Sequence, residues 1–260
     1  MKAISFFLLL FSTVIFASPI DEKNNPPALI PLSGTYSIPG DFASINDAAL
    51  SLNTNGISGP VLFNVAANHT ETAPSGTSTT ITGGIIFRII TGTSATNTIT
   101  FQKNGTGANP LITAGANHFA GGIMDGVIKI IGTDYLIFDS IDVIENPLNT
   151  VFNPIPSNNM TEFGFAFFYG NPTATADGAK NNIIRNCNIT LNNNGTNYQN
   201  TFGIYATCLT SDTNGLNLAS ITSIAGSNSN NKLYSNIISN ANFGITIVGS
   251  NTAAAMDTDW

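Results

Sequence analysis

Three carboxylates stand close together on one predicted strand: Asp139, Asp142 and Glu145. Carboxylates gathered on a rigid element can pass a proton as general acid and base. They can also surround a hard cation such as calcium, which asks for six or more oxygen ligands. The neighbouring sequence does not assemble that many oxygens, so no metal site is assigned. Calcium is the one ion worth testing, and no cofactor is implied. The basic residues on predicted strands are Arg88, Lys129 and Arg185. Asp139 aligns with Arg185 one repeat later, which predicts an ion pair between layers. An exposed pair of that kind contributes about 0–1 kcal/mol. A catalytic or calcium-binding role for the carboxylates is the alternative to this structural one. Lys129, within Val127-Ile128-Lys129-Ile130-Ile131, is expected to point outward.

Aromatic side chains supply a second chemistry, since their faces pack against the apolar faces of sugar rings. Phe167, Phe168, Tyr169, Tyr198 and Tyr205 could line such a groove. Phe163, Phe202 and Phe243 occupy equivalent places, and repeated apolar positions are expected inside a core. No catalytic residue is assigned. The binding candidates are Asp139, Asp142, Glu145, Arg185 and Tyr205. Cys187 and Cys208 are the only cysteines, and His69 and His118 the only histidines. The histidines lie in Asn- and Gly-rich turns far from both thiols, which disfavours a catalytic thiol. Cys187 takes a place held by Ile141 and Asn236 elsewhere, which favours a small buried residue in a stacked row. Pairing with Cys208 stays open as the alternative.

The elements that position these residues recur. Phe138-Asp139-Ser140-Ile141-Asp142-Val143 aligns without gaps with Ile184-Arg185-Asn186-Cys187-Asn188-Ile189 and with Leu233-Tyr234-Ser235-Asn236-Ile237-Ile238. Each copy opens on a large apolar residue and closes on a β-branched one. The third place is small or amide-bearing: Ser140, Asn186, Ser235. The copies begin 46 and then 49 residues apart, a period that marks a solenoid or an array. A Phe-Gly pair follows each copy, at Phe163-Gly164, Phe202-Gly203 and Phe243-Gly244. Two short strands and a turn cannot bury their own apolar row, so each unit must stack on a neighbour.

Along the rest of the chain, Lys2 and the apolar run Ile4–Phe16 read as a secretory signal ending at Ala17, too short for a membrane span. Residues 18–32 are a proline-rich flexible leader. Thr35–Ile38 is a first strand. Asp41 is the expected N-cap of a helix from Phe42 to Asn53, with Ile45, Ala48, Ala49 and Leu52 on one face and Asn55-Gly56 closing it. Val61–Val65 is the next strand, and from there only strands are predicted, at Ile85–Ile90, Thr98–Phe101, Leu111–Thr113, Val127–Ile131, Tyr135–Val143 and Ile245–Val248. Residues 144–162 and 209–229 read as projecting loops. The helix is a cap for the N-terminal end of a stack. No comparable cap is seen at the other end, so residues 33–260 are expected to be one domain that continues in a longer protein. The net charge of −7 and a charged fraction of 9 % argue against nucleic acid and against anionic membranes.

Asn182–Ile189 followed by Gly203-Ile204-Tyr205 resembles the coil repeat of right-handed parallel β-helices of the pectin-lyase type. Asp41–Ala48 followed by Pro60–Val65 is similar to the capping helix and first strand of such proteins. Asn53–Val61 followed by Glu71 resembles the N-terminal part of large secreted surface proteins of Bacteroidetes-type bacteria. The resemblance implies an all-β fold, a right-handed parallel β-helix solenoid with a short N-terminal capping helix. In that superfamily lyases bind calcium through strand carboxylates, and esterases and hydrolases use paired aspartates. The family's catalytic signatures, Gly-His-Gly, Arg-Ile-Lys, Asp-Asp and Gln-Asp-Thr, are missing from this chain. The expectation is therefore a non-catalytic segment of an exported or cell-surface protein, presenting loops to an extracellular glycan or surface component. Its further partners are downstream domains of the same protein, with no nucleic acid and no membrane insertion. The alternative is the N-terminal part of a polysaccharide lyase, esterase or hydrolase acting on acidic polysaccharide.

Overall fold

The third residue of each repeat turns the chain. In the computed structural model Ser140, Asn186 and Ser235 all take left-handed backbone angles, with φ of 61°, 57° and 55°. Asparagine tolerates that region better than most residues, and all three side chains are short. A second row of the same kind, Tyr135, Asn181 and Asn230, has φ of 56°, 60° and 58°. These corners fold successive strands into three parallel sheets. The structure describes residues 29–76, 83–116, 126–150, 159–170, 177–193, 201–212, 215–218, 221 and 226–249, with backbone alone for 208–212 and 215–218. The signal at 1–17 and the first part of the leader lie outside the described residues.

Sheet 1 holds β1 (Leu32–Ile38), β2 (Ile57–Ala66), β5 (Ile99–Asn104), β8 (Leu136–Asp139), β11 (Ile183–Arg185) and β15 (Lys232–Tyr234), in that order. Sheet 2 holds β3 (Thr70–Thr72), β6 (Leu111–Thr113), β9 (Asp142–Ile144), β12 (Asn188–Thr190) and β16 (Ile237–Ser239). Sheet 3 holds β4 (Ile85–Arg88), β7 (Gly126–Ile131), β10 (Phe163–Tyr169), β13 (Phe202–Asp212) and β17 (Phe243–Ile247). One strand from each sheet makes a coil, and the coils stack as an all-β parallel β-helix. The single antiparallel pairing among named strands joins β13 to β14 (Gly215–Leu218). The segment 209–229 was expected to be loop throughout; its start instead prolongs β13 into this hairpin. Part of 144–162 lies outside the described residues.

Side chains of like position form rows along the axis. Phe63, Phe101 and Phe138 stack at 4.4 and 5.4 Å with planes 8° and 12° apart. The row begins at Tyr36 and continues through Ile184 to Leu233. In sheet 2 the inward row runs Glu71, Ile112, Val143, Ile189, Ile238. One member of that row is charged, and it stands at the end.

The helix α1 (Ile45–Asn55) buries Ile45, Ala48, Ala49 and Leu52, and Gly56 at φ 66° closes it. Its N-cap is Ser44 rather than Asp41. Ser44 Oγ accepts from the Asp47 N–H at 3.0 Å, while the Asp41 carboxylate is engaged by the Ser37 N–H and hydroxyl, both at 2.8 Å. Glu71 accepts from the N–H groups of Ile45 and Asn46 at 2.7 and 3.2 Å. With Ser44 it satisfies three of the four N–H groups a helix start leaves open. A carboxylate there also complements the helix dipole. At the other side of the helix, Asn53 Nδ2 donates to the Ile86 carbonyl at 2.7 Å and Oδ1 accepts from the Arg88 N–H at 2.8 Å. The side-chain amide thus pairs with the edge strand β4 as another strand would.

Two inward-outward assignments change. Lys129 is fully buried, because β7 is covered on both faces. Phe163 and Phe202 leave the main core and pack in a second cluster with Phe168, Ala166 and Tyr205 on the outer face of sheet 3. The glycine after each Phe explains this. A Cβ on Gly164 would lie 2.5 Å from Ile189 Cγ2 and 2.6 Å from the Gly203 carbonyl. The glycine therefore faces the core at a tight corner, and the phenylalanine before it is turned out.

Candidate functional site

The outer face of sheet 1 carries a row of hydrogen-bonding side chains at one residue per coil. The pairing register places Asn64 on β2, Gln102 on β5, Asp139 on β8, Arg185 on β11 and Tyr234 on β15 side by side. They alternate along each strand with the buried row that contains Phe63, Phe101 and Phe138, which is why they face out. Parallel neighbours are about 4.8 Å apart, so five strands give a row of roughly 19 Å.

The row consists of two linked groups. Gln102 Nε2 donates to Asn64 Oδ1 at 3.1 Å. Arg185 donates from Nε to Asp139 Oδ2 at 2.8 Å, with Nη2 in ion-pair contact with the same oxygen at 2.8 Å, and from Nη1 to the Tyr234 hydroxyl at 3.0 Å. Asn186 Nδ2 and Ser140 Oγ donate to Asp139 Oδ1 at 2.7 and 3.1 Å. Burial alone would raise the pKa of Asp139. The hydrogen bonds from Asn186 and Arg185 and the guanidinium charge outweigh it and hold the carboxyl below its ordinary value. Its carboxylate takes three hydrogen bonds and the ion-pair contact, whereas Arg185 spends two of its five N–H donors on hydrogen bonds. The bond to Tyr234, with burial opposing, leads the upward shift of the guanidinium.

The three carboxylates do not converge. Asp139 belongs to this row. Asp142, past the corner on sheet 2, accepts from the Asn188 N–H at 2.8 Å, from Asn109 Nδ2 at 2.9 Å and from Asn188 Nδ2 at 2.9 Å. Glu145 is buried and takes four bonds, from the Asn146 N–H, Asn149 Nδ2, and the Thr161 N–H and hydroxyl, at 2.7–2.9 Å. It fastens the ends of the segment between 145 and 161. Among the described residues no group of three or more His, Cys, Asp or Glu side chains is placed to hold a metal ion. Hydrogen bonds of this kind hold the three carboxylates to neighbouring backbone and side-chain groups.

Tyr205 stands apart from Arg185, on sheet 3, stacked on Phe163 at 4.8 Å and 15°. Tyr169 is buried, its hydroxyl accepting from the Asn228 N–H at 3.3 Å. Tyr198 lies outside the described residues. Cys187 is a free, buried thiol that donates to the Arg185 carbonyl at 3.1 Å. Burial pushes its pKa up to about 12, so it is not a nucleophile at neutral pH.

Asn64, Gln102 and Tyr234 complete the row, and sequence reasoning missed them as site residues. Tyr234 aligns with Asp139 and Arg185 in the repeat and could have been found there. Asn64 and Gln102 stand 38 and 37 residues before the next member of the row, off the 46- and 49-residue period. No known protein family, curated protein or solved structure matches the chain.

Proposed function

We propose that this chain is a non-catalytic β-helical segment of an exported or cell-surface protein and that it holds an extracellular glycan along sheet 1. We place it with the pectin-lyase-like solenoids and, within them, with the large surface proteins of Bacteroidetes-type bacteria. The observation that carries the reading is the outer polar row Asn64–Gln102–Asp139–Arg185–Tyr234. A rigid scaffold supports a row of amide, carboxylate, guanidinium and phenol groups with a fixed rise per coil. Linear polysaccharides present hydroxyl pairs with a regular repeat, and planar amide and guanidinium groups bond such pairs two at a time. The Tyr234 ring, 42 % exposed, offers an apolar face to a sugar. The pairing of Asp139 with Arg185 leaves the row near neutral, which favours neutral or weakly acidic chains over strong polyanions. The engagement of Asp139, Asp142 and Glu145 by structural hydrogen bonds supports a binding role over a catalytic one. Fold alone would support neither.

The test is binding of the exported chain to an array of neutral and acidic polysaccharides, followed by calorimetry on any that bind. Gln102→Ala and Tyr234→Ala should each weaken binding about tenfold while leaving the fold intact, as loss of about 1.4 kcal/mol implies. Absence of polysaccharide binding, or binding indifferent to both substitutions, would sink the reading. Shortening of a pectin-like polymer by the chain, with or without calcium, would replace it with the enzymatic one. Mass analysis of the exported protein should find cleavage after Ala17.

A further inference from the structure

The last coil differs from every layer beneath it. Its strands β15, β16 and β17 leave Ile237 65 %, Phe243 49 % and Ile245 49 % exposed. The equivalent Ile204 in the preceding coil is fully buried. Between sheets 1 and 3 this end opens into a cavity of about 350 Å³ lined by Lys232, Leu233, Tyr234, Ile245 and Ile247.

Two observations say what fits there. The first is the direction of the buried asparagines and of Asn236. Asn182 accepts from the Leu136 N–H at 2.9 Å and donates to the Thr133 carbonyl at 2.9 Å, one coil back. Asn231 does the same to the Asn182 N–H and the Ala179 carbonyl, at 2.9 and 2.9 Å. Asn236 accepts from the Cys187 N–H at 3.1 Å and donates to the Ile184 carbonyl at 2.9 Å. Asn146 and Asn149 donate one coil back to the Ala114 and Gly115 carbonyls. Forward-reaching groups such as Asn68, Asp134 and Asp142 exist nearer the surface, but the row of Asp142 ends in Ile237. By the same rule the N–H of Asn236, which is half-buried, is the next to receive an asparagine, and it has no acceptor among the described residues; Asn231 is already buried.

The second observation is the opposite end. There β1 covers the sheet 1 edge, Asn53 bonds the β4 edge, and Glu71 ties the start of α1 to β3. A second copy therefore has no open N-terminal face to stack on this one. Turned end to end, two C-terminal faces would run antiparallel, and both would need asparagines that neither supplies.

We propose that the C-terminal cross-section is an interface for one further parallel coil of the same repeat, added in register. Its asparagine would bond the N–H of Asn236, an apolar residue would enter the cavity, and a ring would lie on Phe243 as Phe243 lies on Phe202 at 5.1 Å. This goes beyond the glycan reading, and the two surfaces meet at Tyr234.

The test is hydrogen exchange of the Lys232–Ile247 amides in the full chain and in a chain lengthened by a second copy of residues 207–247 placed after Ile247. Ile247 and Ala206 share a row, so the insertion adds one coil in register. The amides of the original Lys232–Ile247 should exchange at least ~100-fold more slowly in the lengthened chain, as newly buried strands do. Changing the inserted counterpart of Asn236 to alanine should forfeit about tenfold of that protection by removing the added rung. Unchanged exchange overturns the proposal. So does a lengthened chain that unfolds at lower denaturant than the parent, since stacking on this face must stabilise. In the unmodified chain, exchange of these amides as slow as that of Ile183–Thr190 would also overturn it. A defined dimer, abolished by Ile245→Lys, would replace the proposed coil with a second copy.

Discussion

The two ends of this solenoid are made of the same repeat and finished in opposite ways. At the N-terminal end each sheet edge meets a different device: a seven-residue strand β1 on sheet 1, an asparagine amide on sheet 3 and a glutamate under a helix start on sheet 2. At the C-terminal end the rows that are buried in mid-stack come to the surface with side chains unchanged in type. What differs is the polar chemistry. The capped end replaces an apolar residue of the inward sheet 2 row by Glu71, which belongs where a row meets N–H groups. The last member of that same row is Ile238, an apolar residue like the three before it. The two ends of one row thus differ in the character of a single side chain.

The comparison breaks first on a charge. Ile184→Asp puts a carboxylate into a fully buried row, and chemical denaturation should show a loss of at least about 4 kcal/mol or no folded protein. Ile245→Asp, at the open end, should cost under about 1 kcal/mol. Equal losses would mean that the C-terminal face is not open. Next is the cap. Glu71→Ala removes an acceptor from two helix N–H groups and from His69, whose Nε2 lies 3.0 Å away. Urea titration should register a loss of about 2–3 kcal/mol, the range for hydrogen bonds to a charged group. Exchange should rise first at Ile45 and Asn46. The corner glycines sharpen the contrast. Gly203→Ala would drive its Cβ to 2.4 Å from Ile238 Cγ2, whereas Gly244 has nothing within 4 Å of that position. The first should cost about 2 kcal/mol through overpacking, and the second less than about 0.5 kcal/mol. Thermal melts of the pair will tell them apart.

The smallest effect lies on the outer row. Arg185→Ala should cost about 0–1 kcal/mol, since the pair with Asp139 is partly solvated. Its signature is in pH. Asp139 has a folded pKa below its unfolded one, so its contribution is complete above the ordinary aspartate value of about 3.9 and disappears as pH falls through the lower folded value. Asp134, whose carboxyl is raised by burial, has the opposite sign: its contribution is present below the unfolded value and lost as pH rises through the folded one. Denaturation midpoints between pH 2 and 6 should flatten on the acid side in Asp139→Asn. An unchanged profile would show that the Asp139–Arg185 bridge does not persist in solution.

The parts of this architecture that repeat at a nearly constant interval were legible in the residues. Ser140, Asn186 and Ser235 marked the corner because positive φ restricts the choice of side chain. Asp139 and Arg185 aligned because they share a row. Lys129 and the Phe163 row were misplaced for one reason. Alternation along a strand tells which residues share a face, but not whether a second layer covers the outer face, and β7 and β10 are covered on both. The early coils hid Asn64 and Gln102 because the passage from sheet 1 to sheet 2 is longer there, from Asn104 to Leu111 against Asp139 to Asp142 later, and a gapless alignment does not cross a change in turn length. The roles of Glu71 and Asn53 depend on partners 26 and 33–35 residues away, on elements with no repeat to reveal them.

The one-way reach of the buried asparagines also orders events in time. A rung can close only when the coil behind it is already in place, since its acceptor and donor sites are backbone groups of that earlier coil. A chain that emerges N-terminus first, as in synthesis, lays down the helix and β1–β4 before any rung residue appears. Each later asparagine then arrives to find its two partners formed and held about one coil away. Growth in the other direction would leave every asparagine waiting in water for a layer not yet built. For a chain that folds as it is made, each such asparagine thus meets partners already laid down.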